Sequence, residues 1–295
     1  MRRISFICIW VSVILLTGIL AACSGTAAPD VLTTSTILAD ITKNVAGDRL
    51  TVGSLVPIGV DPHSYQPTPQ DTAKVSKSKV LVVNGAEYEL FLEPLLASAD
   101  GEGTLIEAAT SLNLRSDAEH GTDPHLWLDP NNVIVYVENI RDGLIQFDPE
   151  GAEVYQANAS AYITQLEELD AWINGQIAEI PPPRRLLVTN HEAFGYFAER
   201  YGFTLVGTVI ESFSSDASPS AQQMAALVDQ INLYEAPAIF LDAADNPSLA
   251  QQIAAETNVK VVTDLHLESL TDGAPAGTYI EMMKYNVTKI VEAIQ

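Results

Sequence analysis

The chain has 295 residues, with 38 Asp+Glu against 15 Lys+Arg, a formal net charge of −23 and 47% hydrophobic residues. That length and apolar fraction allow one large or two medium domains with real cores and exclude wholesale disorder. The acidity argues against nucleic acid as a partner, because a phosphate backbone requires a basic face; a cation is the more natural ligand.

The first elements are a processing signal. Arg2 and Arg3 precede an apolar run from Ile4 to Leu20, and Leu20-Ala21-Ala22-Cys23 closes it with small residues, so residues 1–22 read as an export leader. A plain N-terminal membrane helix is the alternative. The Leu-Ala-Ala-Cys run resembles a bacterial lipobox, which makes Cys23 the expected lipidation site and the first mature residue. Cys8 lies inside the leader, so the mature chain keeps only Cys23 and forms no internal disulfide. Residues 23–30 are small and polar, as a tether between lipid and domain requires.

From position 31 onward the chain alternates strand and helix. Short β-branched or apolar runs predict strands at Val31–Ile37, Leu50–Pro57, Val80–Asn84, Thr104–Ala108, Leu186–Asn190, Thr204–Ile210, Ala238–Asp242 and Lys260–Leu265. Helical stretches stand at Gln70–Lys79, Asn131–Ile145, Ala193–Tyr201, Ser220–Tyr234, Ser248–Thr257 and Thr278–Ile294. Such alternation predicts an α/β protein with mostly parallel sheets and helices on both faces.

One segment interrupts the pattern. Tyr155, Ala159, Tyr162, Leu166, Leu169, Ile173, Ile177 and Ile180 recur at steps of three and four, the stripe of one long amphipathic helix. Asp148-Pro149 predicts its start and Pro181-Pro182-Pro183 its stop. About 30 residues at 1.5 Å each reach roughly 45 Å, enough to run past two lobes. The expected division is an N-terminal α/β lobe at 31–147, a linker helix at 148–181 and a C-terminal α/β lobe at 182–295. Periodicity alone equally fits a long surface helix of a single domain.

The chemistry gathers on histidines. His63 and His125 each end an Asp-Pro-His triplet, and His191 follows the strand Leu186–Asn190. Strand ends are where the crevice of an open α/β sheet collects ligands, and proline limits the freedom of a ligand-bearing loop. Neutral imidazoles suit zinc and other borderline divalent metals, with a carboxylate to offset the charge. Asp242, Asp264 and Glu268 are the carboxylates near strand ends in the last lobe; spacing does not choose among them. His120 lies in a polar stretch and reads as a loop residue with at most weak metal recruitment, and His266 occupies a different part of the turn from Glu268.

Four motifs now carry a family resemblance: VDPHSYQPTPQD, GTDPHLWLDPNNV, NHEAFGYFAERYG and TDLHLESLTDGAPAGTYIEMMKYNVTKI. In this order, with a lipobox and a long central helix, the chain resembles the metal-binding solute-binding lipoproteins of bacterial zinc and manganese ABC transporters, the ZnuA-like and TroA-like cluster A-I. The resemblance implies two doubly wound α/β lobes joined by one rigid helix, with a metal cleft between them. It implies His63 and His125 as ligands from the first lobe and His191 from the second. Many relatives take their fourth ligand from Asp-Ser-Leu, where this chain has Glu268-Ser269-Leu270, so Glu268 is the expected fourth.

The implied function is capture of a divalent metal, zinc first and manganese second, and delivery to an ABC permease by an exported, lipid-anchored monomer. No catalysis is expected. A hydrolase using the same histidines, or a surface adhesin stabilised by metal, are the alternatives. His191-Glu192 opens a zinc-protease motif, but Gly195 stands where its second histidine belongs, and no P-loop or Gly-x-Gly-x-x-Gly occurs.

Overall fold

The computed structural model describes residues 28–99, 103–118 and 120–295, so the expected leader and the Cys23 anchor lie outside the described residues. Two four-stranded parallel sheets form the scaffold. The first has the order β2-β1-β3-β4, built from β1 (Val31–Thr33), β2 (Val52–Ser54), β3 (Val80–Val83) and β4 (Thr104–Glu107). A small antiparallel hairpin follows, β5 (Ser116–Asp117) with β6 (Gly121–Thr122). The second sheet has the order β10-β9-β7-β8, from β7 (Leu186–Thr189), β8 (Thr204–Thr208), β9 (Ala238–Asp242) and β10 (Lys260–Leu265). Strands β3 and β9 are buried along their whole length, which is why they read as continuous apolar runs.

Nine helices among the described residues cover these sheets: α1 (Thr36–Ala46), α2 (Pro69–Lys77), α3 (Leu92–Ser98), α4 (Pro130–Phe147), α5 (Ala152–Ala178), α6 (Gly195–Tyr201), α7 (Ala221–Tyr234), α8 (Ser248–Thr257) and α9 (Tyr279–Ile294). Their starts follow local chemistry. Thr68 and Asp71 close a reciprocal capping box ahead of α2, and Asp129 caps α4 with Pro130 at its first position. The strand expected at Val31–Ile37 is cut short because the Ser35 hydroxyl accepts from Leu38 N–H and starts α1.

Helix α5 is the expected linker, entered through a 3-10 turn at Pro149–Gly151 rather than directly from Pro149. Asp148 makes no side-chain cap. Its carboxylate instead accepts from Arg49 at 2.5 and 2.8 Å and from the Tyr155 hydroxyl at 2.6 Å. All eight stripe residues, Tyr155 through Ile180, are buried. The helix packs on α1 and α4 of the first half and on α9 of the second. Asp170 on α5 accepts from Asn131 on one side and from Arg200 and Tyr201 on the other.

The two halves share most of one core. One apolar cluster runs from Val31, Ile41 and Val82 through the α5 stripe to Phe197, Phe240, Leu265 and Met282, with one smaller cluster in each half. The physical reason is that the α5 stripe is apolar along its full length and both halves bury against it.

Candidate metal centre

Each half sends two loops to one point. His63 lies nine residues beyond β2, where Asp61 Oδ1 accepts its backbone N–H at 2.9 Å. His125 follows the β5–β6 hairpin rather than a strand of either four-stranded sheet. The same local turn recurs there: Asp123 Oδ1 accepts the His125 N–H at 3.0 Å. His191 stands two residues past β7, its carbonyl held by the Thr189 hydroxyl at 2.8 Å. Glu268 comes from the turn after β10.

The four side chains converge. His125 Nε2 lies 3.3 Å from His63 Nε2 and 3.2 Å from His191 Nε2. Glu268 Oε1 lies 3.8, 3.2 and 3.4 Å from the Nε2 atoms of His63, His125 and His191. Side-chain exposure is 4% for His63 and Glu268 and 1% or less for the other two. Glu268 Oε1 is buried without a hydrogen-bond partner. Four electron-pair donors thus face one another in a dry pocket, an arrangement that repels itself unless protons or a cation lie between them. Donors about 2.0–2.2 Å from a common tetrahedral centre are separated by roughly 3.3–3.6 Å, so the observed spacings suit a metal ion.

Neighbours fix the donors. His125 Nδ1 lies 2.9 Å from Asp123 Oδ1, which holds the proton on Nδ1 and turns the Nε2 lone pair inward. The Tyr88 hydroxyl donates to Glu268 Oε2 at 2.9 Å, leaving Oε1 to the histidines. Trp127 Nε1 donates to the Leu267 carbonyl at 2.8 Å. Asp242 accepts from the N–H groups of Leu267 and Glu268 at 2.5 and 3.3 Å, so it braces the turn and does not join the four. Asp264 pairs with Tyr285 and Lys289 elsewhere, and the backbone N–H of His266 is held by Asn286 while its ring packs on Tyr285.

Electrostatics follow the geometry. Burial presses the His125 imidazolium toward the neutral form, but the charge of Glu268 and the bond to Asp123 prevail and raise its pKa to about 9. Burial works against ionisation of Glu268 too, yet the His125 charge and the three facing rings hold it well below the ordinary carboxylate range. Without metal, the site therefore keeps a proton that an incoming ion must displace.

Sequence reasoning did not find Tyr88, whose partner is 180 residues away. The aspartates of the two Asp-Pro-His triplets were visible, and their repeated offset of two residues from histidine was the available signal for their role.

A family model described as "Zinc-uptake complex component A periplasmic" matches residues 31–293. The chain belongs to this family. It is 37% identical over 265 residues to the manganese-binding lipoprotein MntA of Halalkalibacterium halodurans, spanning 90% of this chain and 88% of that protein. The iron-binding protein YfeA of Yersinia pestis is 33% identical over 89% of this chain and 85% of its own. Among solved structures, the periplasmic zinc-binding protein TroA of Treponema pallidum matches with a TM-score of 0.83 at 28% identity, covering 90% of this chain and 99% of TroA. The protein is thus a metal ABC transporter substrate-binding protein, and its relatives are named as transporter substrate-binding lipoproteins rather than as enzymes. Its relatives are lipoproteins and periplasmic proteins, and no helix among the described residues is long and apolar enough to cross a membrane.

Proposed function

We propose that His63, His125, His191 and Glu268 bind one divalent ion as cargo, zinc in preference to manganese, and that the loaded protein delivers it to an ABC permease. The observation that carries this reading is the set of donor separations of 3.2–3.8 Å centred on three Nε2 atoms and one carboxylate oxygen. Three nitrogens and one oxygen favour zinc over manganese, both by ligand preference and by the general affinity order of divalent metals. A hydrolase needs an open coordination position with water, and four buried donors leave none. Lipid anchoring at Cys23 and a monomeric state complete the proposal; the relatives' lipoprotein names support the anchor.

Competition between Zn2+ and Mn2+ on purified, metal-stripped protein tests it. Equimolar zinc should displace bound manganese, and loading of the metal-free protein with zinc should release protons. Retention of manganese against equimolar zinc would overturn the preference. Undiminished affinity in a His125→Ala variant would overturn the site.

A further inference from the structure

Glu268 turns one oxygen to the three imidazoles, and Tyr88 occupies the other. The Tyr88 hydroxyl donates to Glu268 Oε2 at 2.9 Å. A phenol ionises near 10, so this hydroxyl is a donor across the physiological range. The carboxylate has little freedom to turn away, because its backbone is held on both sides. Asp242 Oδ2 accepts the Glu268 N–H at 3.3 Å, and the next residue, Ser269, accepts the Gly59 N–H on its hydroxyl at 2.9 Å.

The turn that carries Tyr88 is strained and braced. Beyond β3, Gly85, Ala86 and Glu87 have φ of +82°, +53° and +64°. Two successive non-glycine residues in the left-handed region are unfavourable and persist only where their surroundings over-determine them. Those surroundings are present. The buried Glu89 carboxylate accepts from the Thr34 hydroxyl and the Asn84 N–H at 2.6 Å each and from the Gly85 N–H at 3.1 Å, while the Tyr88 N–H donates to the Gly85 carbonyl at 3.1 Å. The Tyr88 ring is 2% exposed and meets the rings of His63 and Trp127 at steep angles, with centroids 5.4 and 4.9 Å away. Backbone and ring together aim the hydroxyl at Oε2.

We propose that Tyr88 is a specificity-determining residue: by engaging Glu268 Oε2 it leaves the ion a single carboxylate oxygen and so sets the preference for zinc over manganese. The inference rests on the four-donor centre proposed above. Zinc is satisfied by four donors of the nitrogen and oxygen kind. Manganese is suited by oxygen donors and six-coordinate sites. A carboxylate can give an ion one oxygen or two. A freed Oε2 would therefore add a fifth donor, and an oxygen, to a set of three nitrogens and one oxygen. Tyr88 supplies no donor of its own; it acts through Glu268, as a positioning residue.

Competitive titration of Zn2+ against Mn2+ in a Tyr88→Phe variant of the metal-stripped mature chain tests the proposal. Phenylalanine keeps both ring contacts, so the fold is retained. Zinc should weaken by about tenfold while manganese binds at least as tightly as in the wild type, so the ratio of zinc to manganese affinity should fall by about tenfold or more. Visible absorption of bound Co2+ gives a second readout. The wild type should show the strong d–d bands of a four-coordinate ion and the variant the weaker bands of a higher coordination number. An unchanged affinity ratio, with both metals weakened alike or neither affected, would overturn the proposal, as would unchanged cobalt bands. Both comparisons set the variant against the wild type, so they decide the role of Tyr88 independently of the wild-type order of affinities. Failure of the centre itself is read elsewhere, as undiminished binding in the His125→Ala variant.

Discussion

Asp61 and Asp123 each accept the backbone N–H of the histidine two residues ahead, then diverge in the use of the remaining contacts. Asp123 also holds the His125 ring, whereas Asp61 Oδ2 accepts from the Ser215 hydroxyl at 2.5 Å, across from the other half of the molecule. An Asp123→Asn variant should lower zinc affinity by about 10–100-fold with little change in melting temperature, because the ring loses its orienting charge while the fold loses no packing. Tyr88→Phe should fall at the low end of that range, read by the same titration, since it frees Glu268 Oε2 in a dry pocket. The pH response has two opposite signs. In metal-free protein, the raised pKa of His125 contributes stability that is complete below 6.5 and lost as pH rises through about 9. The lowered pKa of Glu268 contributes stability present above the ordinary carboxylate value and lost as pH falls through its depressed one. Metal-free melting temperature should therefore decline between pH 6.5 and 9, a decline absent in His125→Ala. Zinc affinity should rise over the same interval as proton competition fades. A flat affinity from pH 6.5 to 9 would contradict the assignment. These pairings were only partly legible in the chain. The histidines and Glu268 sat in recognisable motifs, while Tyr88 stands alone in a polar loop and its role depends on a contact no local pattern encodes.

At the scale of elements, all eight strands of the two sheets were legible because buried parallel strands are compact apolar runs between turn residues. Their ends were less so: the Ser35 cap stops β1 at Thr33, and β2 covers only Val52–Ser54 of the expected Leu50–Pro57. Helices α1 and α3 escaped for different reasons. The apolar start of α1 continues the β1 pattern, and α3 is seven residues with no side-chain cap to announce it. The α5 stripe was the most legible feature, because eight apolar positions at helical spacing have no other economical burial. Leu166 in that stripe is fully buried. Leu166→Ala should destabilise by about 2–5 kcal/mol in a denaturant titration. A loss below about 1 kcal/mol would indicate that the stripe is not packed as described.

For the whole molecule, the continuous apolar cluster decides how it unfolds. Both halves bury against one helix, so heating should give a single calorimetric transition in the metal-free state; two resolved transitions would contradict the shared core. Saturating zinc at about a hundred times its dissociation constant should add about 2.7 kcal/mol. His63→Ala should keep the metal-free transition, because His63 itself belongs to none of the apolar clusters, and lose most of the zinc-dependent gain. The sequence allowed either a linker between lobes or a surface helix; what it did not reveal is that the linker is also the spine of one interior.

Helix α5 lies between His125 and His191 in the chain, which makes its length a ruler. Inserting one residue would swing everything after it by about 100° and lift it by about 1.5 Å. His191 and Glu268 would then miss His63 and His125 although no residue at the centre had changed. Whichever ion this protein prefers, the number of turns in a rod well away from the ion is part of what recognises it.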